Sequence, residues 1–164
     1  MGPKISVIIP ALNEELSLPL VLNHLPKELL NEIIVVDNGS TDATARVAQE
    51  NGARVVCEPR RGYGSACLKG IAEVNDPDIV VFLDGDYSDF PEEITLLLEP
   101  IIKWDMDFVL GSRMIMEQSR KALLPQARYG NCLAVNLMWF CFRGYRFTDL
   151  GPFRAIRYKS LISI

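Results

Sequence analysis

Three runs of consecutive apolar residues constrain the fold more than any other feature of the sequence. They are Val-Ile-Ile at 7–9, Ile-Ile-Val-Val at 33–36 and Ile-Val-Val-Phe-Leu at 79–83. A strand that is apolar on both faces must be covered on both faces, and layers of helices around a parallel sheet provide that cover. The runs therefore predict an α/β fold with a mainly parallel sheet.

Turn residues and helical spacing between these runs set the predicted elements. We predict strands over residues 5–10, 32–37, 54–58, 79–84 and 108–111, and helices over 16–25, 43–51, 65–74 and 92–103. Asp89 and Glu92 have the spacing of a capping box at the start of the last helix. Further on the pattern loosens: residues 126–142 suit a helix, and 146–156 suit a short strand or two.

Size and composition indicate a single domain. The 164 residues, 49% of them hydrophobic, suffice for one domain over 1–164 with its own core. An apolar run of about 18 residues and a signal-peptide pattern are both lacking, so we expect a cytoplasmic location. The four cysteines have no C-x-x-C spacing and His24 is the only histidine, which argues against a zinc site or a histidine-based catalytic triad.

Charge is distributed unevenly along the chain. Residues 1–112 carry 8 Lys and Arg against 19 Asp and Glu, whereas residues 113–164 carry 9 against 2. The basic part interleaves cations with aromatic residues, which suits an anionic partner: a phosphorylated substrate, a membrane surface or nucleic acid. The acidity of the remainder argues against nucleic acid, and segment 134–146 suits peripheral membrane contact. A solvated basic face over core aromatics explains the same residues.

Two carboxylates follow the third apolar run, in the sequence Asp84-Gly-Asp86. Side chains alternate along a strand, so we expect Asp84 and Asp86 to project to the same side where the strand leaves the sheet. Mg²⁺ and Mn²⁺ bind oxygen ligands, and Mg²⁺ usually completes its shell with waters and substrate phosphates. The motif thus predicts a Mg²⁺ or Mn²⁺ site for a nucleotide diphosphate. The alternative is a solvated turn, in which Asp and Gly are favoured.

Polar or glycine-bearing loops follow all five predicted strands, at residues 10–14, 37–42, 58–64, 84–86 and 111–113. In open α/β sheets, ligands bind beyond the carboxyl ends of the strands, so we expect these loops to converge on one site. Asp37 can accept hydrogen bonds from a base N–H or a ribose hydroxyl, and Gly39 allows a ligand close to the backbone. The alternative is an Asx-turn before a helix capped by Ser40 or Thr41.

Several cations are further candidates. Arg60 and Gly62 lie at a predicted helix start, where cations and backbone N–H groups bind phosphate, and Lys69 lies further into that helix. A plain loop is the alternative for this segment. Arg113 and Arg128 are candidates for binding a transferred or accepting phosphate, and otherwise are surface charges.

Taken in order, these motifs resemble glycosyltransferase family 2. They are Val-Ile-Ile-Pro-Ala-Leu-Asn-Glu-Glu at 7–15, Ile-Val-Val-Asp-Asn-Gly-Ser-Thr-Asp at 34–42, Arg-Gly-Tyr-Gly at 61–64, Asp-Gly-Asp at 84–86 and Gly-Ser-Arg at 111–113. Within the family the chain is similar to enzymes that move a sugar from a nucleotide donor to dolichyl or polyprenyl phosphate. The resemblance implies the GT-A fold, a Rossmann-like three-layer α/β/α architecture.

The resemblance also implies a role for each candidate residue. Asp37 would contact the base, Asp86 would be the principal metal ligand, and Asp149 lies where many relatives keep a catalytic acidic residue. The nucleoside pocket would be lined by Pro10, Ala11, Asn13 and Glu14. Ribose and diphosphate would face Asp84 and Gly85. The acceptor or donor phosphate would meet Arg113 and Arg128.

Two features depart from the family pattern. Lipid-phosphate mannosyltransferases often carry Gln two positions after the second Asp, where this chain has Ser88 followed by Asp89, so the third metal ligand stays open. Relatives commonly continue past Ile164 with an acceptor-loop region, so we expect the domain to be short at its C-terminal end.

The sequence hence predicts a metal-dependent inverting glycosyltransferase. A UDP-sugar is the favoured donor, with GDP-mannose open, and the acceptor is a polyprenyl or dolichyl phosphate or a sugar hydroxyl. A phosphate monoester is largely dianionic at pH 7, with a second pKa of about 6, whereas a hydroxyl needs a general base. Asp149 is the candidate base, with an ion-pair role as its alternative.

The sequence leaves one alternative function open and argues against another. A catalytically incomplete module that binds a nucleotide sugar is the alternative function. A sugar-phosphate nucleotidyltransferase would need a G-x-G-x-R loop after the first strand, which residues 10–14 do not provide. Contact with the cytoplasmic membrane face and assembly into a homo-oligomer are left open.

Overall fold

A computed structural model describes residues 2–111 and 151–163 of the chain. The described strands are β1 (Ile5–Ala11), β2 (Glu32–Asp37), β3 (Arg54–Cys57), β4 (Ile79–Phe82), β5 (Phe108–Leu110) and β6 (Arg154–Arg157). The described helices are α1 (Leu18–His24), α2 (Thr44–Glu50), α3 (Tyr63–Glu73), α4 (Ile94–Trp104) and α5 (Tyr158–Leu161), with short 3-10 helices at Lys27–Leu29 and Pro91–Glu93.

The six strands form one sheet in the order β3-β2-β1-β4-β6-β5. Strands β1 to β4 pair in parallel, and β6 pairs antiparallel with β4 on one side and with β5 on the other. The carboxyl ends of β1 to β5 therefore lie at one edge of the sheet, together with the start of β6. We call this the carboxyl edge, and the opposite one the amino edge.

Both faces of the sheet are buried, as the apolar runs predict. Val7 and Ile9 belong to one core cluster, which also contains buried residues of α1, α2 and α4. Ile8, between them, belongs to a second cluster with α3 and α5 on the other face. The predicted three-layer α/β/α architecture is confirmed for the part of the chain that the structure describes.

Close packing fixes helix α3 against the sheet. A Cβ at Gly70 would lie 2.4 Å from Cγ2 of Ile8 and 3.3 Å from Cγ2 of Val36. No real Cβ approaches that closely, so glycine at this position lets α3 lie directly on β1 and β2. This packing also positions the N-terminal end of α3 at the carboxyl edge.

Several element boundaries differ from the sequence predictions. Strand β4 ends at Phe82, two residues before Asp84. Helix α4 begins at Ile94 after a 3-10 turn whose N-cap is Phe90, without a side-chain capping bond, so the predicted capping box is wrong. Strand β6 overlaps the predicted 146–156 region, whereas the predicted helix over 126–142 lies outside the described residues. In the described ranges, no helix is both long and apolar enough to cross a membrane.

Candidate active site

The loops after the parallel strands meet at the carboxyl edge. The Asn38 N–H donates to the Ala11 carbonyl (2.9 Å), the Glu58 N–H to the Asp37 carbonyl (2.9 Å), and the Gly111 N–H to the Phe153 carbonyl (2.8 Å). The predicted convergence is therefore observed as far as the described residues reach. Pro10 and Ala11 are the last two residues of β1 and both are buried.

The β1 and β2 loops are joined through Asn13, which has a left-handed backbone (φ 58°). Its N–H donates to Oγ of Ser40 (3.0 Å), and its side-chain Oδ1 accepts from the Thr41 N–H (2.8 Å). The Glu14 N–H donates to Oγ1 of Thr44 (2.8 Å). The helix cap by Ser40 or Thr41, which belonged to the alternative for this loop, is not observed: α2 begins at Thr44 with Ala43 as its N-cap, and both residues bond to Asn13.

Asp42 makes a second connection between these loops. It accepts from the Glu15 N–H (3.2 Å) and the Thr44 N–H (3.0 Å), while the Ala43 N–H donates to the Glu15 carboxylate (2.9 Å). Desolvation raises the pKa of Asp42, but the hydrogen bonds from Thr44 and Glu15 outweigh it, so the pKa lies below its ordinary value. The ionised carboxylate thus holds the β1 loop against the start of α2.

Asp37 forms the Asx-turn that was the alternative reading of its loop. Its Oδ1 accepts from the Ser40 N–H (2.9 Å), and among the described residues Oδ2 has no hydrogen bond. Gly39, inside the turn, has a φ of +86°, a conformation that L side chains rarely adopt. The turn and a ligand role are compatible, because one carboxylate oxygen is left to accept.

Asn38 organises the site although the sequence analysis gave it no role. It is buried, and its amide donates to the carbonyls of Glu58 and Arg60 (2.8 Å each) while Oδ1 accepts from the Gly62 N–H (2.7 Å). One side chain therefore fixes the whole loop between β3 and α3. The only signal in the sequence is Asn before Gly, a common turn pair that does not reveal these partners.

The phosphate-binding role predicted for the loop before α3 is only partly compatible with the structure. The Gly62 N–H bonds to Asn38, so that donor is not open to a phosphate. Lys69 forms an ion pair with Glu73 (2.8 Å), whose hydrogen bond and negative charge raise the pKa of the lysine. The Arg60 side chain is exposed and forms no ion pair in the described ranges. Of these three residues, Arg60 has the side chain that is most open to a ligand, and the donor-binding roles of all three stay predictions.

The D-G-D motif lies in a turn beyond the end of β4, so strand alternation does not govern it. Asp84 is half-buried, whereas Asp86 is exposed and accepts from the Ser88 N–H (2.9 Å), with Tyr87 in a left-handed conformation (φ 60°). Gly85 is buried, and a Cβ there would lie 3.4 Å from Cγ of Glu14. The motif thus lies next to the β1 loop. A turn at residues 84–86 is compatible with a ligand site there.

The donor atoms in this motif fit a hard divalent cation. Two carboxylates supply oxygen ligands, and the exposed Asp86 leaves room for other ligands of the ion. The described parts of the chain contain no group of three or more His, Cys, Asp or Glu residues that could hold a metal ion alone. Within these parts of the chain, the two carboxylates are the ligands available to such a cation, and Mg²⁺ usually keeps waters and binds substrate phosphates beside one or two carboxylates.

Tyr63, Cys67 and Arg154 lie beside Asp84 and were not predicted as site residues. Desolvation, the negative charge of Asp84 and a hydrogen bond to Asp84 raise the pKa of Tyr63. Desolvation also raises the pKa of the Cys67 thiol. The Arg154 guanidinium acts on both groups in the opposite sense and lies 5.9 Å from the centroid of the Phe82 ring. Arg113, Arg128 and Asp149, the predicted catalytic residues, lie outside the described residues.

Comparison with known proteins decides the family. Residues 6–163 match the family described as Glycosyl transferase family 2, which is nearly the whole chain. The chain belongs to glycosyl transferase family 2. The family predicted from the sequence motifs is therefore confirmed.

Similar proteins are longer than this chain. An uncharacterized glycosyltransferase of Mycobacterium tuberculosis is 36% identical over 165 residues, covering 99% of this chain and 72% of that protein. The UDP-N-acetylglucosamine–dolichyl-phosphate N-acetylglucosaminyltransferase of Methanococcus voltae is 30% identical over 165 residues, covering 88% of this chain and 65% of that enzyme.

A solved structural neighbour has the same architecture with ligands bound. Glucosyl-3-phosphoglycerate synthase of M. tuberculosis, in complex with Mn²⁺, UDP-glucose and phosphoglyceric acid, superposes with a TM-score of 0.80 at 29% identity. The match covers 99% of this chain and 59% of that one, so the chain spans well under two thirds of the neighbour's length. The same enzyme is known with Mg²⁺ and UDP. The predicted GT-A fold is confirmed by this likeness.

Proposed function

We propose that this family 2 domain transfers a sugar from a UDP-sugar to a phosphate-bearing acceptor, with inversion and with Mg²⁺ or Mn²⁺. The observation that carries the proposal is the meeting of three loops at the carboxyl edge: the D-G-D motif, the Asx-turn of Asp37 and the Asn13–Glu14 segment. The neighbour with Mn²⁺ and UDP-glucose supports the donor class, because it shares this architecture over 99% of the chain.

Each loop has a role in donor binding under this proposal. The open Oδ2 of Asp37 accepts from the uracil N–H, and the glycine backbone at Gly39 lies against the nucleoside. Asp84 and Asp86 hold the cation, which when bound offsets the charge that develops on the departing diphosphate. Asn13 and Glu14 bond to the β2 loop and to the start of α2, which fixes the β1 loop with the Glu14 side chain beside Gly85. Arg60, which is exposed and has no ion pair among the residues that the structure describes, attracts the anionic donor.

A lipid phosphate is the acceptor class that we favour. The M. voltae relative is named for transfer to dolichyl phosphate, and the structural neighbour was solved with a phosphorylated acceptor. A phosphate monoester is largely dianionic at pH 7, so it attacks the anomeric carbon without a general base. A sugar hydroxyl would need one, and Asp149 would supply it. With a lipid acceptor, the reaction takes place at the cytoplasmic face of a membrane, with residues 134–146 in peripheral contact.

The metal motif gives the decisive experiment. Calorimetry with Mn²⁺ and UDP-glucose, UDP-N-acetylglucosamine or GDP-mannose should show metal-dependent binding of a UDP-sugar. Asp86→Ala should weaken that binding and lower turnover by at least about 100-fold, because a bound cation stabilises the leaving group by several kcal/mol. Asp76→Ala is the matched control, since Asp76 is an exposed aspartate at the amino edge.

Acceptor choice and the alternative function are decided with the same protein. Product is measured with a short polyprenyl phosphate, phosphoglycerate and a saccharide in parallel. Binding of a UDP-sugar without product from any acceptor would favour the nucleotide-sugar-binding module. Equal affinity in wild type and Asp86→Ala would refute the metal-dependent enzyme.

A further inference from the structure

Arg154 lies at the carboxyl edge because β6 is antiparallel to β4 and β5. Its backbone pairs with Phe82, the last residue of β4, and with Leu110, the last residue of β5. The Arg154 Nε donates to the Pro152 carbonyl (3.1 Å), which directs the side chain back toward the start of β6. The guanidinium carbon then lies 5.9 Å from the centroid of the Phe82 ring.

This position places the guanidinium on the α3 side of the sheet. Phe82 and Cys67 belong to the same core cluster, and Tyr63 lies one helical turn before Cys67. Asp84 follows Phe82 by two residues and acts electrostatically on both Tyr63 and Cys67, as Arg154 does. The cation is therefore a close neighbour of the D-G-D motif.

Arg154 forms no ion pair with any described residue, although it is half-buried. Arg157, on the same strand, has the opposite arrangement: it forms ion pairs with Asp105 (2.7 Å) and Asp107 (3.5 Å) at the amino edge. A partly desolvated charge that no direct ion pair offsets is costly. A guanidinium also presents several N–H donors in a fork that matches phosphate oxygens, and the bond to Pro152 uses only Nε.

We propose that Arg154 binds a phosphate group of the substrates beside Asp84. The inference deepens the proposed function and rests on it. Either the diphosphate of the donor or the phosphate of the acceptor presents the same oxygen chemistry to the guanidinium. In both cases the residue touches substrate, and the bound phosphate supplies an ion-pair partner that none of residues 2–111 and 151–163 provides.

The test uses three variants of the same strand. Arg154→Met keeps an unbranched apolar stem and removes the charge, Arg154→Lys keeps a charge without the fork, and Arg157→Met is the control at the other edge. Circular dichroism and thermal melting verify that each variant is folded. Calorimetry measures UDP, pyrophosphate and inorganic phosphate binding in Mn²⁺, and steady-state kinetics give KM for donor and acceptor.

We expect Arg154→Met to weaken phosphate binding by about 10- to 100-fold, as for loss of hydrogen bonds from a charged group. Arg154→Lys should recover part of this loss, and Arg157→Met should bind like wild type. Weakened UDP and pyrophosphate binding identifies the donor diphosphate; unchanged UDP binding with a raised acceptor KM identifies the acceptor phosphate.

Two negative outcomes are distinguishable. If wild type binds UDP and turns over while Arg154→Met and Arg154→Lys, both folded, match it in every constant, the role of Arg154 is refuted and the proposed function stands. If wild type binds UDP without turnover, Arg154-dependent binding still supports the phosphate contact. If wild type binds none of the three anions, both proposals fail.

Should Arg154→Met not fold, Arg154→Lys alone decides, because only a fork-specific contact predicts its weaker binding.

Discussion

The two edges of the sheet are held together by different interactions. At the amino edge, charged side chains pair with each other: Arg54 with Glu32 (3.1 Å) and Glu73 (3.3 Å), and Arg157 with two aspartates. At the carboxyl edge, side chains such as Asn13, Asn38 and Asp42 bond mainly to backbone groups of the neighbouring loop. At the amino edge, charged side chains are neutralised by ion pairs with each other. At the carboxyl edge, side chains fix the loops by bonding to neutral backbone groups.

This difference leaves the cations of the carboxyl edge available. Arg60 and Arg154 form no ion pair in the described part of the chain, and Arg61 donates only to the Gly39 carbonyl (3.4 Å). Loops that are fixed without using arginine charge can present that charge to an anionic ligand. The contrast is therefore what a phosphate-binding edge requires, and it can be tested by removing the fixing bonds.

The largest expected effect comes from Asn38→Ala. The change removes three hydrogen bonds at a buried position, each worth about 1 kcal/mol net, so the free energy of unfolding should fall by about 2 to 3 kcal/mol. Urea denaturation measures this loss. UDP affinity should fall as well, because the loop between β3 and α3 loses its three bonds to the Asn38 side chain and keeps only the backbone bond from Glu58 to Asp37.

Asn51→Ala is the control for this change. Asn51 makes a single side-chain bond, to the Val47 carbonyl (2.8 Å), at the end of α2 that faces the amino edge. It should lose about 1 kcal/mol or less and keep UDP affinity. Equal losses of stability in the two variants would contradict the role given to Asn38.

The layers of the fold were predictable from the sequence because they depend on local pattern. An apolar run such as residues 7–9 needs cover on both faces, and the structure divides Val7, Ile8 and Ile9 between two cores accordingly. The convergence of the loops follows from parallel pairing alone. Neither step needs knowledge of a distant partner.

The features that were missed depend on partners far along the chain. Strand β6 enters the sheet between β4 and β5, so Arg154 reaches the site through a pairing with residues more than 40 positions away. Asn38 finds its three partners only after β2 has paired with β3. Because β4 ends at Phe82, the alternation of side chains along a strand does not apply to Asp84 and Asp86, although both still lie at the carboxyl edge. Local pattern carries none of this information.

A pair of glycines tests the edges with the same local change. Gly39 (φ +86°) lies at the carboxyl edge and Gly52 (φ +87°) precedes β3 at the amino edge, and an added Cβ would meet no contact closer than 3.7 Å at either. Gly39→Ala and Gly52→Ala should each cost about 1 to 2 kcal/mol from backbone strain alone. Only Gly39→Ala should weaken UDP binding, as measured by calorimetry. Weakening in both variants would mean that general destabilisation, not the turn at Asp37, controls affinity.

The smallest effect separates the edges by pH and salt. Desolvation opposes ionisation of Asp42 and of Glu32, yet hydrogen bonds lower the pKa of both, and the charge of Arg54 also lowers that of Glu32. A folded-state pKa below the unfolded value gives stability that is present above the unfolded pKa and lost as pH falls through the folded one. The stability differences between wild type and Asp42→Asn or Glu32→Gln should therefore shrink in acid.

At neutral pH, NaCl of about 1 M should reduce the Glu32→Gln difference, because the Arg54 pair is partly exposed and screened, and leave the Asp42→Asn difference nearly unchanged. Equal salt sensitivity in urea titrations would show that both edges depend on charge pairing after all.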